Sequence, residues 1–184
     1  MKKVVISILG TDRPGIVAGV SKVLSENRCN IEDVSQTRLQ TEFAGIFIAS
    51  VPKALRPEDL LERLEKDLMP FGLHVQLKTL QSLEEKRRPS PSEPFVVTTV
   101  GADRLGLVAG ITEVMARFRV NITNMKAVFR GGDDPNMNTM IYQVNVPKDA
   151  GSKDFRKALH EKAKALGLEL SIQHRDIFEA MNRI

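Results

Sequence analysis

The chain has 184 residues, with 27 Lys and Arg against 23 Asp and Glu, a formal charge of +4 and one cysteine. Charges of both signs are interspersed without a long single-sign run, which describes a solvated surface and argues against direct nucleic-acid binding. Cys29 stands alone, so an intrachain disulfide and a cysteine metal cage are excluded. The first apolar run stops at Leu9, too early for a signal peptide or a spanning helix, so a cytoplasmic protein without membrane contact is expected.

Val4 to Leu9 is a short β-branched run that predicts a strand apolar on both faces. Asp12-Arg13-Pro14-Gly15 predicts a helix start, with a carboxylate in N-cap range and a proline near the first helical position. Ile16, Val17, Val20, Val23 and Leu24 give that helix its apolar stripe, and it stops near Asn27. Ile31 to Leu39 reads as a second strand, Thr41-Glu42 as a turn, and Phe43 to Val51 as a third strand closed by Pro52. Pro57 opens a second helix with Glu58 and Asp59 at its positive end and Leu60, Leu61, Leu64 and Leu68 as its stripe; Pro70 and Gly72 end it. Leu73 to Leu80 is a fourth strand.

The opening block, Val4 to Gly19, then returns as Phe95 to Gly110, 91 positions on, and Arg28-Cys29-Asn30-Ile31 returns as Arg119-Val120-Asn121-Ile122. A whole supersecondary unit is therefore duplicated. The second copy is expected to run as a strand from Phe95, a helix from Gly106, a strand from Ile122, a polar hairpin loop over Gly131 to Asn138, a strand from Thr139 to Val146, a helix from Ser152 to Leu166 and a strand from Leu168 to Gln173. In the tail, Ile177, Phe178, Met181 and Ile184 fall at helical spacing and pack on their own domain or on a partner. Three prolines, three serines and charged residues mark a linker between copies, giving domains 1–81 and 95–184 with residues 82–94 between them. Each copy is β-α-β-β-α-β. The fold class is α+β, with two ferredoxin-like domains, each an antiparallel four-stranded sheet carrying two helices on one face. The other face, or an edge, is expected to pack on another domain, and thin ninety-residue cores make an assembly useful.

The strand, the Gly-x-Asp-Arg-Pro-Gly-Ile-Val turn, the amphipathic helix and the Asn-Ile step into the next strand resemble the ACT domain, a small regulatory module that binds amino acids. With Gly10-Thr11-Asp12-Arg13-Pro14-Gly15-Ile16-Val17 and Cys29-Asn30-Ile31-Glu32-Asp33 in the first copy and no catalytic domain attached, the tandem resembles the glycine cleavage system transcriptional repressor family. That resemblance implies a non-enzymatic homodimer that senses a small amino acid, glycine or serine, and acts through a DNA-binding transcriptional regulator without touching DNA itself. It also implies a ligand held between two modules.

The residues supply a chemistry for this. A free amino acid offers a carboxylate and an ammonium close together. Backbone N–H groups around Gly15-Ile16 and Gly106-Leu107, at helix starts, can take the carboxylate, and a glycine allows close approach. Asp12 or Asp103 can attract the ammonium, and the Asn30 or Asn121 side chain, with Ile31 or Ile122 next to it at the start of the adjoining strand, has donors and an acceptor to bridge the ligand. The alternative is a purely structural or protein-interaction tandem in which Gly15 serves the turn, Asp12 caps the helix and Asn30 satisfies local backbone. The copies differ, Pro14 becoming Leu105, Thr11 becoming Ala102 and Glu32-Asp33 becoming Thr123-Asn124, which weakens the second site more than the first.

Other classes fit less well. His74, His160 and His174 fall in different elements without metal-ligand spacing, the single cysteine has no base near it in sequence, and Gly10 to Gly15 lacks the spacing and lysine of a phosphate loop, so neither enzyme, metal site nor cofactor is expected. RNA-recognition modules share this topology but stack bases on aromatics of their central strands; Val4 to Leu9 has none, and Phe43 and Phe47 read as core.

Overall fold

A computed structural model of the chain describes residues 1–80, 91–129 and 137–181. It separates into two compact units, Met1–Arg87 and Arg88–Ile184. The first holds β1 (Lys2–Thr11), α1 (Ile16–Glu26), β2 (Asn30–Leu39), β3 (Glu42–Val51), α2 (Pro57–Leu68), a 3-10 turn at Met69–Phe71, and β4 (His74–Leu80). Its sheet is antiparallel throughout, in the order β2-β3-β1-β4. This is the ferredoxin-like arrangement expected from the element order.

Alternation, not a doubly covered run, organises β1. Val4, Ile6 and Ile8 turn inward and are buried with Phe43, Phe47 and Ala49 of β3, while Val5, Ser7 and Leu9 turn outward. The inward set meets Ile16, Val20, Val23 and Leu24 of α1 and Leu60, Leu64 and Leu68 of α2. Val17, read as part of the stripe, is instead 39% exposed, and Leu61 packs only at the margin. The outward face keeps Leu9 and Ile46 about half exposed, at 53% and 51%. The expectation that both faces of this strand are covered is therefore met on the helix side only. A trough of about 390 Å³ runs across the outward face between Ser7, Leu9, Ile46 and Gln76.

The second unit repeats the design with β5 (Ser92–Ala102), α3 (Leu107–Arg117), β6 (Asn121–Phe129), β7 (Met137–Pro147), α4 (Ser152–Ala165), β8 (Glu169–His174) and α5 (Arg175–Met181), its strands ordered β6-β7-β5-β8. The duplication reaches fine detail. The β-bulge at Ile31/Asp33 recurs at Ile122/Asn124, and Gly15 and Gly106 both take left-handed backbone, at φ 98° and 86°. Ser92, Glu93 and Pro94, read as the end of a linker, are strand residues paired to β7, because antiparallel pairing with Asn145 to Pro147 extends the ladder beyond the apolar run. Likewise Met137 and Asn138 belong to β7 and not to a loop. Most of the linker and of the Gly-rich loop lies outside the described residues. Helix α5 follows β8 directly and contacts β5 and β8 of its own unit.

The second core is more polar than the first. Tyr142 and Thr99 are buried at the places that Phe47 and Ile8 hold in the first unit, and burial pushes the Tyr142 phenol up, a hydrogen bond with Thr99 working the other way. A phenol that stays protonated in the folded unit while the unfolded chain ionises near pH 10 leaves the unfolded state with fewer protons, so stability falls as pH rises above about 10. Tyr142 is the one tyrosine and tryptophan is absent, which makes phenolate absorbance a direct reading of this group. The folded chain is expected to titrate later than free tyrosine, and Tyr142→Phe to lessen the alkaline loss of stability. Titration of the native protein at the free-tyrosine position would refute the buried environment.

Candidate functional site

The segment joining β1 to α1 is shaped by three backbone facts. Gly15, not Asp12, is the N-cap of α1, in left-handed backbone that only glycine adopts without strain, and no side chain caps the helix. The first helical bond runs from the Gly19 N–H to the Gly15 carbonyl at 2.8 Å, so the N–H groups of Ile16, Val17 and Ala18 precede the ladder and point out of the helix end. The Asp12 N–H donates to the Thr41 carbonyl at 2.7 Å, which ties the segment to the β2–β3 hairpin.

That hairpin, whose turn residues are Gln40 and Thr41, supplies what sequence reading missed. Gln36, Thr37, Arg38 and Phe43 join Asp12 through Ala18 around a depression of about 360 Å³ at the amino end of α1. The Arg38 Nε lies 3.6 Å from the Asp12 carboxylate and also donates to the Gln40 carbonyl at 2.9 Å. The signal for this was available in the topology: in a β-α-β-β unit the turn between the second and third strands falls at the same end of the sheet as the close of the first. The Arg38 side chain is largely exposed and that of Asp12 about one-third exposed, so the pair is partly screened by solvent and contributes little to stability. Polar lining and uncapped amides suit a zwitterion; the sheet-face trough, apolar by comparison, does not.

The other expected residues are distributed differently. Asn30 pairs with Ser50, which pairs with Lys3, so Asn30 stands at the opposite end of the sheet from Asp12, roughly 30 Å away along the strands. Asn121, level with Asn145 and Pro94, stands equally far from Asp103. Within one unit, therefore, the structure brings Asp12, Gly15 and Ile16 together and leaves Asn30 and Ile31 apart, and it does the same with Asp103, Gly106 and Leu107 against Asn121 and Ile122. The side chains of Ile16 and Leu107 are buried, and those of Ile31 and Ile122 pack on their cores, which leaves the backbone groups of these four for contacts outside the core.

The second loop has different chemistry. The repeat places Phe129 where the first copy has Arg38, and β7 places Asn138 opposite Gly101 where β3 places Phe43 opposite Gly10. Asp103 accepts a hydrogen bond from Asn138 Nδ2 at 3.2 Å, and the Arg104 guanidinium donates to the Leu166 carbonyl at the end of α4. Helix α3 again has a glycine N-cap, Gly106, and no side-chain cap. Among the described residues no three His, Cys, Asp or Glu side chains cluster to hold a metal, and no helix is long and apolar enough to cross a membrane.

Two β-α-β-β-α-β units, each with an uncapped helix end behind a left-handed glycine, define a tandem of small α+β regulatory modules. The ACT-domain family model matches residues 2–79 and 93–173, and the chain belongs to the ACT-domain family. It is similar to a UPF0237 protein of Methanosarcina acetivorans, 38% identical over 94 residues that make up 50% of this chain and 98% of that protein, a relative one module long. Its fold is shared with a solved protein of unknown role from Galdieria sulphuraria, with a TM-score of 0.76 and 22% identity over 94% of this chain and 98% of the other. It is shared as well with a solved chain provisionally assigned as a glycine cleavage system transcriptional repressor, with a TM-score of 0.62 and 20% identity over 94% and 96%.

Proposed function

We propose that this chain is a non-catalytic, cytoplasmic amino-acid sensor that acts through protein contacts. The observation that carries the reading is the set of uncapped amides of Ile16, Val17 and Ala18 beside the Asp12–Arg38 pair in one polar depression. A small amino acid, glycine or serine in size, would set its carboxylate on those amides and Arg38 and its ammonium on Asp12. The second loop would offer Asp103, Gly106 and Leu107 in the same way. Asn30 and Asn121 would reach such a ligand only from a neighbouring module, as in a homodimer, which makes binding a way to join or reorient modules. Regulation of transcription in glycine cleavage, through a DNA-binding regulator, is supported by likeness of fold to the provisionally assigned repressor.

A ligand-free interaction module is the second reading, favoured by the half-exposed Leu9 and Ile46 on the outward sheet face. One experiment separates the two. Thermal unfolding with each of the twenty amino acids should give a stabilisation of about 2.7 kcal/mol at a hundredfold excess over Kd for the true ligand. Asp12→Ala, Arg38→Ala and Asn30→Ala should each remove most of it, and sedimentation of the same samples should show a dimer. A dimer that no amino acid stabilises would leave only the interaction module.

A further inference from the structure

Asn138 Oδ1 is a buried side-chain oxygen without a hydrogen-bond partner among the described residues. The residue is only 9% exposed. A buried acceptor left unpaired costs about 1–3 kcal/mol, which a donor from outside the described residues would relieve. Its position is informative. Phe43, which holds the corresponding place opposite Gly10, lines the depression at the amino end of α1, and Asn138 holds that place opposite Gly101, with its Nδ2 already on Asp103 three residues before the Gly106 N-cap.

The surrounding charge points the same way. In the first module Arg38 faces Asp12 at 3.6 Å, whereas position 129 is phenylalanine and Arg104 is spent on the Leu166 carbonyl. The Asp103 carboxylate and the Asn138 carbonyl oxygen therefore form a pair of acceptors with no cation to satisfy them among the described residues. An ammonium group, with three donors and a positive charge, matches that pair; a carboxylate does not.

We infer that Asp103 and Asn138 form an ammonium-binding subsite at the amino end of α3, so that the second module selects its ligand by the amine while the first, through Arg38, selects by the carboxylate. This rests on the reading of both modules as amino-acid sensors. The two loops are then unequal receptors for one class of ligand, and amine-bearing compounds without a carboxylate distinguish them.

The test is two-dimensional NMR of the isotope-labelled full chain with three probes: glycine, ethanolamine, which keeps the amine, and glycolate, which keeps the carboxylate. Glycine and ethanolamine are expected to move the Asn138 side-chain amide and the Gly106 backbone signal, and glycolate, able to reach only the α3 amides, to leave the Asn138 side-chain amide in place. Asn138→Leu, which removes the orphan oxygen without adding charge, and Asp103→Asn, an exposed and conservative change, are each expected to weaken binding there about tenfold or more while Gly15 responds as before. Unchanged Tyr142 titration verifies that the variants are folded. Movement of the Asn138 side-chain amide by glycolate equal to that by glycine, or full binding by both variants, overturns the subsite. Glycine signals confined to the first module would likewise overturn it with sensing intact, and silence in both modules would remove sensing as well.

Discussion

Phe47→Ala is expected to cost the first unit about 3–5 kcal/mol. Phe47 is fully buried on β3, level with Ile6 of β1 and Val34 of β2, beneath the stripes of α1 and α2. A unit of this size has little stability in reserve, so a loss of that order brings it near its unfolding point. Cys29 gives a local reading: it is buried, its Sγ donates to the Asn27 carbonyl at 3.6 Å, and burial pushes its thiol up, so it is unreactive until the unit opens. Labelling of Cys29 by a disulfide reagent should accelerate roughly 10²-fold or more in Phe47→Ala. Leu9→Ala, on the outward face, should change it little. Equal acceleration by the two would mean that the helix side is not where the unit's stability resides.

Gly10→Ala is the second large effect, by another mechanism. A Cβ at Gly10 would lie 2.9 Å from Leu73 Cδ2 and 3.1 Å from the Gly72 carbonyl oxygen, and the counterpart at Gly101 would lie 2.7 Å from Leu168 Cδ2 and 3.1 Å from the Gly167 carbonyl oxygen. Part of the clash is with backbone, so β1 or the segment entering β4 must shift, at about 1–3 kcal/mol. That shift moves the residues leading directly into Asp12 and Gly15, so the amino-acid response should fall as well. Gly72→Ala is the comparison: Gly72 has φ 65° and open space around its missing Cβ, so the cost is the left-handed conformation alone, about 1–2 kcal/mol. In a denaturation double-mutant cycle, Leu73→Ala should recover part of the loss in Gly10→Ala and none in Gly72→Ala. Absence of coupling between positions 10 and 73 would refute the steric account.

The strands and helices were legible because their signals are local. Leu60, Leu64 and Leu68 recur at the helical period, and Pro57 and Gly72 stand at the ends of that run for reasons of backbone conformation. The misreadings share one cause. A run of aliphatic residues such as Val4 to Leu9 carries no record of which face meets the helices, and Asp12 looked like a cap because spacing alone does not show that the chain turns left-handed at Gly15 before the helix begins. Ser92 to Pro94 looked like linker because pairing to β7, which makes them strand, involves residues some fifty positions later.

The sequence by itself determined the duplication, the order of elements in each copy, the α+β class and the membership in the ACT-domain family, because each is written in residues adjacent along the chain or repeated at a fixed offset. Only the tertiary structure decided which of the chemically promising residues meet. Antiparallel pairing sends Asn30 to the far end of the sheet from Asp12, brings Arg38 and Phe43 beneath the amino end of α1, and sets Asn138 beside Asp103 with an oxygen unpaired among the described residues. Distance between residues well separated in sequence is set by strand direction and sheet order, and neither is a property of any short stretch of chain.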